Sequence, residues 1–157
     1  MSTEKDIKEE VYKILSRRDH TYQEVKTKLV RKGYLKKDID CVLSFFEEAG
    51  YIDDEKFIKL WIDYRLRTKP MGRYRLINEL AKKGIDYSLA KETVNQFYSS
   101  EKEAKVLYEI AIELKNKKNI ELYDEALHKL GPKLMRRGFN MIEIKNILFK
   151  IFDSPSI

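Results

Sequence analysis

Leu29-Val-Arg-Lys-Gly33-Tyr34 is the first of three copies of one short motif in this 157-residue chain. The other two are Leu80-Ala-Lys-Lys-Gly84-Ile85 and Leu134-Met-Arg-Arg-Gly138-Phe139. Each copy has the features of a helix end: two cations in the last turn, a glycine suited to the left-handed position that follows, and apolar residues on either side. The glycines are 51 and 54 residues apart, a spacing typical of helical repeat proteins. The motif therefore predicts three repeated helical units.

Apolar residues keep a fixed register around these glycines. The position eight residues before the glycine is Val25, Leu76 or Leu130 in the three copies. The position ten residues after it is Leu43, Val94 or Leu148, and the position thirteen after it is Phe46, Phe97 or Ile151. A further amphipathic segment precedes each pair of helices, with apolar residues at Ile7, Val11, Ile14 and Leu15, at Phe57, Leu60, Trp61 and Tyr64, and at Ala104, Leu107, Tyr108 and Ala111. We therefore expect an all-α fold of three tandem three-helix repeats, forming an elongated, curved array with divisions at 1–52, 53–100 and 101–157.

Start and stop signals favour the same organisation. Thr21 and Glu24 have the spacing of a capping box, and Asp54, Asp86 and Asn140 are further candidate caps. The structural turn residues are predicted to be Gly33, Gly50, Gly72, Gly84 and Gly138. The third unit departs from the pattern because Gly131-Pro132 interrupts its second helix, where we expect a kink or a shortened helix.

The composition excludes several classes of protein. The chain is 43% hydrophobic and 37% charged with six glycines and three prolines, which is typical of a charge-rich helical protein. Its first residues form no apolar leader, and no stretch approaches the roughly 18 apolar residues of a membrane helix, so we expect a cytoplasmic protein. Cys41 is the single cysteine, and because it lies beside Val42 and Phe45 on an apolar stripe, we expect a buried, unreactive thiol.

No arrangement typical of an enzyme is present. Asp53 and Asp54 precede an amphipathic segment, where capping explains them better than metal binding does. His20 and His128 are isolated histidines and form neither a metal site nor a triad. No Gly-Lys-Ser/Thr run exists to cradle a phosphate. We expect a protein without catalytic residues, metal or cofactor.

Positive charge is concentrated in three blocks. The net charge is +6, but residues 11–40, 65–83 and 129–150 carry +5, +6 and +5, with acidic segments between them. Cations at helix ends can simply compensate the helix dipole, which explains part of each block. The remainder extends well beyond one helix end and indicates a repeated basic surface.

The central unit resembles a known family. Gly50-Tyr-Ile-Asp-Asp-Glu-Lys-Phe57, followed by Arg65, Gly72-Arg-Tyr-Arg-Leu-Ile-Asn-Glu-Leu80 and Lys83-Gly84-Ile85, is similar to the central signature of the RecX family, and the likeness extends over residues 8–152. Lys69-Pro70-Met71 departs from the family's more glycine-rich connection. The resemblance implies a small, non-catalytic helical repeat protein that binds RecA and RecA filaments on single-stranded DNA. It also implies restraint of the ATPase, strand exchange and coprotease activities of RecA.

The basic residues are the candidate filament-binding site. Stacked units could align them into one strip: Arg17, Arg18, Lys26, Lys28, Arg31, Lys32, Arg65, Arg67, Lys69, Arg73, Arg75, Lys82, Lys83, Lys133, Arg136 and Arg137. We expect charge reversal at Arg65, Arg73 and Arg75 to weaken inhibition of the filament.

Ten tyrosines accompany these cations, and most are explained as core or half-buried helix residues, among them Tyr34, Tyr51, Tyr64 and Tyr108. Tyr22 and Tyr74 are the better candidates for partner contact. We expect a monomer with weak direct DNA binding, no membrane contact and no small-molecule substrate. The alternative is a stand-alone DNA-binding protein, because each glycine turn joins two helices much as a helix-turn-helix does.

Overall fold

The computed structural model describes residues 3–153, and every regular element within them is an α-helix. The nine helices of this part of the chain are α1 Glu4–Arg17, α2 Tyr22–Arg31, α3 Lys36–Glu48, α4 Asp54–Thr68, α5 Arg73–Lys82, α6 Tyr87–Phe97, α7 Ser100–Lys118, α8 Tyr123–Arg136 and α9 Met141–Asp153. No helix within residues 3–153 combines the length and hydropathy that a membrane span requires. The predicted all-α repeat array is confirmed.

The helices associate in threes, and each set encloses its own core. The first unit is α1–α3, the second α4–α6 and the third α7–α9, and each contributes one cluster of buried side chains. The repeat positions supply the centres of these clusters, all of them fully buried: Val25, Leu29 and Leu43, Leu76, Leu80 and Val94, Leu130, Leu134 and Leu148. Apolar periodicity at four and eight residues before the glycine and ten after it therefore identified shared core positions correctly.

The buried faces of α4 and α6 differ from the predicted ones. In α4 the core takes Phe57, Ile58 and Ile62, whereas the predicted Leu60 and Tyr64 are exposed. Trp61 is half-buried, stacked on Phe57 with 6.2 Å between ring centroids, and was expected to be buried. In α6 the core takes the next residue, Tyr98, in place of Phe97. Both helices carry two adjacent apolar stripes, and packing decides which of them faces inward.

Cys41 was predicted to be buried and is exposed. The inward face of α3 is formed by Ile39, Val42, Leu43 and Phe46. Residue 41 lies off that face, with its thiol 3.7 Å from a carboxylate oxygen of Glu4. Val42 points into the core, but Phe45 lies one helical turn from Cys41 on the same face and is exposed, so the stripe of Cys41 faces outward.

The exposed tyrosines correct a second prediction. Tyr51, Tyr64 and Tyr108 lie at the apolar spacing, yet all three are exposed, and only Tyr34 is half-buried as expected. A tyrosine at the edge of a buried stripe can lay its ring on the core and leave the hydroxyl in water. Apolar spacing alone therefore overestimated how deeply they pack.

Four of the five predicted turn glycines have left-handed backbones. Gly33, Gly50, Gly84 and Gly138 have φ of +92°, +80°, +86° and +95°. The N–H of Tyr34 donates to the Leu29 carbonyl oxygen at 3.3 Å, which is the bond of a Schellman helix end. Gly72 is different: with φ of −77° it is the N-cap of α5, and it serves close packing between units and not a turn.

Caps follow the sequence signals with one exception. Thr21 and Glu24 form the predicted capping box, with both reciprocal bonds at 3.1 Å. Asp86 caps α6 through the Leu89 N–H at 3.1 Å, and Asn140 accepts a bond from the Ile142 N–H at 2.7 Å. Of the two aspartates predicted to act as caps, Asp53 caps α4, whereas the Asp54 carboxylate accepts a bond from the Tyr22 N–H.

Of the two outcomes predicted at Gly131-Pro132, a kink or a shortened helix, the shortening does not occur in α8. It runs for 14 residues through Pro132, against 10 residues in both α2 and α5. An internal proline costs one backbone hydrogen bond and crowds the preceding turn. The buried residues on both sides of it, Ala126, Leu130 and Leu134, anchor both halves of the helix in the same core and offset that cost.

Successive units are joined by the same contact. At the first junction the Thr21 hydroxyl, at the N-cap of α2, donates to the Lys83 carbonyl oxygen at 2.7 Å. At the second, the N–H of Gly72, at the N-cap of α5, donates to the Arg137 carbonyl oxygen at 2.8 Å. In each case the acceptor is the residue just before the motif glycine of the following unit. The units therefore stack head to tail.

Candidate functional site

Two adjoining clefts in the first two units form the main candidate site, which we call the basic groove. The first cleft lies between α1 and α2, and the second lies where α2 meets the end of α5. Lys28 and Arg31 line both clefts and make them continuous. Seven cationic residues line the groove against two acids, Glu10 and Glu24; the cations are Lys13, Arg17, Lys28, Arg31, Lys32, Lys82 and Lys83.

The two acids of the groove are already engaged. Glu10 pairs with Lys32, and this hydrogen bond lowers the pKa of Glu10. Burial acts to raise the pKa of Glu24, but hydrogen bonds from Arg18 and from the Thr21 N–H outweigh it, so the pKa is lowered. Both carboxylates stay ionised near neutral pH, and each offsets part of the positive charge.

Several groove cations have no acidic partner. Within residues 3–153, no carboxylate forms an ion pair with Arg17, Arg31 or Lys82. Cations that outnumber the acids beside them raise the local positive potential, which attracts polyanions. The groove is thus suited to a phosphate backbone or an acidic protein surface.

A buried histidine orients Lys28, the one lysine that both clefts share. His20 accepts a hydrogen bond at Nε2 from the Lys28 ammonium at 3.0 Å, while its Nδ1 lies 2.8 Å from the Arg18 carbonyl oxygen. Burial lowers the pKa of His20, with the charges of Arg18 and Lys28 acting the same way. The ring is therefore neutral with its proton on Nδ1, and Nε2 is free to accept. Sequence reasoning treated His20 as isolated, because its partner lies eight residues away.

Other members of the predicted strip are engaged inside the protein. Arg65 bonds to Glu79 at 3.0 Å, with its guanidinium 4.8 Å from the centre of the Trp61 ring. Arg75 lies 3.7 Å from Glu79 and donates to the Arg136 carbonyl oxygen at 3.3 Å. These arginines hold the second unit together or join it to the third.

Arg73 is the most deeply engaged cation of the strip. Its backbone N–H donates to the Glu103 carboxylate at 2.6 Å, and its Nε lies 3.3 Å from the same oxygen. Glu103 is only 3% exposed. Glu143 lies 3.8 Å from the guanidinium, and burial, together with the neighbouring Glu103, raises the pKa of Glu143 to about 7. Nothing in the sequence indicated this cluster, because its members lie on three different helices.

The remaining cations of the strip are distributed as follows. Lys26 pairs with Asp40 at 2.9 Å, and Arg18 pairs with Glu24 at 3.1 Å. Arg67, Lys69 and Arg136 are exposed, while Lys133 and Arg137 are half-buried.

A second basic cluster lies in the third unit, where Lys118 approaches Lys133 closely enough to lower the pKa of Lys133. Lys117 and Lys118 were not among the predicted residues, although the lysine-rich stretch Lys115-Asn-Lys-Lys118 was a signal for them. A single strip through all three units remains a prediction.

The two candidate tyrosines differ in availability. Tyr22 is half-buried, and its hydroxyl donates to Asp40 at 3.1 Å. Burial, with the charge and hydrogen bond of Asp40, raises the pKa of Tyr22 to about 12. Tyr74 is 65% exposed and lines an open cleft between the second and third units. Only Tyr74 has a ring face free for stacking.

Comparison with known proteins identifies the repeats. Residues 8–46 match the first three-helix domain of RecX, and residues 53–94 match its second. The regulatory protein RecX of Chlorobium limicola is 31% identical over 142 residues, which cover 90% of this chain and 87% of the relative. The chain belongs to the RecX family.

Further RecX relatives agree. The regulatory protein RecX of Clostridium tetani is 35% identical over 150 residues, covering 94% of this chain and 68% of the relative. The crystal structure of RecX from Lactobacillus salivarius has a TM-score of 0.86, with 20% identity over 94% of this chain and 96% of that one. At that identity the match shows the shared fold.

The RecX family is a regulatory one. Within the described part of the chain, no three His, Cys, Asp or Glu residues group as metal ligands would.

Proposed function

We propose that this RecX protein binds RecA and RecA filaments on single-stranded DNA, and that it restrains their ATPase, strand exchange and coprotease activities. The observation that carries the proposal is the basic groove in a chain that belongs to a family of regulatory proteins. A nucleoprotein filament presents both phosphates and protein carboxylates, which are the groups that unpaired arginines and lysines bind. The protein then acts in the cytoplasm as a monomer.

The test is a titration of the purified protein into RecA coating single-stranded DNA while ATP hydrolysis is followed. We expect hydrolysis to slow at protein concentrations well below that of RecA. Unchanged hydrolysis at equimolar protein would refute the proposal.

Groove variants make the test specific. Arg31 and Lys82 line the groove without an acidic partner among the described residues, so the double variant Arg31→Glu, Lys82→Glu should lose inhibition while keeping its fold. The matched control is Lys37→Glu, Lys105→Glu, which makes the same charge change at exposed positions outside the groove. Charge reversal at Arg65, Arg73 and Arg75 is a poorer test, because these residues support the fold.

The second candidate function is binding of DNA alone, and the same groove favours it. If all seven groove cations neutralised phosphates of a single strand, log K would fall with log salt at a slope of about −5. We expect a much shallower slope, because the proposed partner supplies protein contacts as well. Tight binding to naked DNA with the steep slope would favour the second candidate over the first.

A further inference from the structure

The two junctions between units show what a motif glycine does besides ending a helix. A Cβ added to Gly84 would lie 2.3 Å from the Cβ of Gln23, and one added to Gly138 would lie 2.4 Å from the Cβ of Arg75. Each glycine therefore lets the start of a neighbouring helix approach closely. The carbonyl just before it accepts a hydrogen bond from that helix's N-cap.

The first unit carries the same surface without an occupant. Gly33 has the same left-handed backbone, but a Cβ built on it would have nothing within 4 Å. Among residues 3–153, no hydrogen bond reaches the carbonyl oxygen of Lys32, which is equivalent to the Lys83 and Arg137 acceptors. Within the described part of the chain, the contact that joins the units is thus left open at Gly33.

An exposed leucine lies close to the Gly33 turn. Two residues after the motif glycine, the second and third units have Asp86 and Asn140, whose side chains cap the next helix. The first unit has Leu35 there, which makes no side-chain cap bond and is 69% exposed. Folding alone favours a polar cap at this position, since leucine leaves the helix N–H groups without a side-chain acceptor. A leucine here is better explained by burial against another molecule.

A second copy of this chain cannot supply the missing contact in the same way. Helices α2 and α5 begin 11 residues before their motif glycines, at Tyr22 and Arg73, but α8 begins 15 residues before Gly138. Eleven residues before its glycine, where α2 and α5 begin, the third unit therefore has no helix start, because α8 extends one additional turn. The array is closed at that end and open at Gly33.

We propose that the Gly33 turn, with Lys32 and Leu35, is a docking surface for the N-terminus of a helix on RecA. The proposal rests on the function proposed above. The occupant is a helix start with an N-cap donor for the Lys32 carbonyl, an apolar residue against Leu35 and an acidic first turn. The acidic turn complements the basic helix end at Arg31 and Lys32, as Glu24 lies 4.0 Å from Lys83 at the first junction.

The test compares two asparagine variants. Asparagine tolerates the left-handed conformation, so Gly33→Asn keeps the turn and places a side chain where the helix would dock. Gly50→Asn is the matched control, because Gly50 is also left-handed and also open. Binding is measured by co-sedimentation with RecA filaments on single-stranded DNA. We expect Gly33→Asn to bind about tenfold more weakly or worse, the factor that loss of one buried leucine would give, and Gly50→Asn to bind like the natural chain.

A second variant separates docking from folding. Leu35→Asp supplies the cap found in the other units, so its Tm should rise while binding falls about tenfold. A residue with only a structural role would not move the two readouts in opposite directions.

The remaining outcomes distinguish failure of the docking surface from failure of the proposed function. If Gly33→Asn binds like Gly50→Asn while the natural chain binds well, the docking surface is refuted and the proposed function stands. If the natural chain does not bind RecA at all, both fall. If sedimentation of the chain alone shows a dimer that Gly33→Asn abolishes, the occupant is a second copy and the assignment to RecA is overturned.

Discussion

Replacing Gly72 by alanine tests how closely the second and third units pack in solution. Gly72 has φ of −77°, so alanine fits its backbone conformation. The new Cβ would lie 2.2 Å from the carbonyl oxygen of Gly138 and 2.4 Å from its carbonyl carbon, and no side-chain rotation moves these atoms. The units must therefore separate, which stretches the 2.8 Å hydrogen bond from the Gly72 N–H to Arg137.

The expected loss of stability follows from these two effects. Overpacking costs about 1–3 kcal/mol, and weakening the hydrogen bond costs about 0.5–1.5 kcal/mol. Together they should lower the free energy of unfolding by about 2–4 kcal/mol. For a chain of this length, about 1 kcal/mol corresponds to about 2–4 °C, so Tm should fall by about 5–15 °C.

Circular dichroism melts measure this change, and Trp61 fluorescence in urea reports on the second unit alone. The matched control is Gly33→Ala, where the site is open and only the left-handed conformation costs about 1–2 kcal/mol. A Gly72→Ala protein that melts within about 2 °C of the natural chain would refute the reasoning. It would mean that the second and third units do not meet in solution as they do in the structure.

Three further predictions concern single side chains. Because the pKa of Glu143 is raised to about 7 beside Glu103, its contribution to stability is present at acid pH and declines as pH rises through 7. Carbon-13 NMR should show a glutamate inflection near pH 7 that Glu143→Gln removes, and persistence of that inflection would exclude the assignment. The lowered pKa of His20 has the opposite effect on the pH dependence of stability: the contribution of this histidine is present at neutral pH and is lost as pH falls. Lys28→Met should raise that pKa by removing a nearby positive charge, and an unshifted proton NMR titration would argue against the contact. Cys41 is exposed, so a thiol reagent should label it fully in native protein, whereas labelling only after unfolding would support the buried position first predicted.

The repeats could be predicted because their signals are local. A glycine after two cations ends a helix wherever it occurs, and apolar residues eight before and ten after it define inward faces without any knowledge of the neighbours. This is why Leu29, Leu80 and Leu134 were placed correctly in three separate cores. The Thr21 capping box was predictable for the same reason, since its partners are three residues apart.

The predictions failed where the same stretch of sequence allowed two local interpretations. Cys41 lies beside apolar residues, but direction around α3, not proximity in sequence, decides burial. In α4, Leu60 and Ile58 lie on adjacent stripes, and only packing against α6 selects the stripe of Ile58. Pro132 breaks an isolated helix, but the core residues on both sides of it keep α8 continuous.

The basic groove shows most clearly which features the sequence determines and which the tertiary structure decides. The sequence by itself determined which segments are basic, because charge is a property of each residue. Only the tertiary structure decided which cations are available: Arg73 is held by Glu103 from another unit, whereas Arg31 and Lys82 line the same cleft and neither forms an ion pair within residues 3–153. The open turn at Gly33 was equally hidden, since its sequence matches that of Gly84 and Gly138. What distinguishes it is that no other unit within residues 3–153 packs on it, and that depends on how the units are arranged.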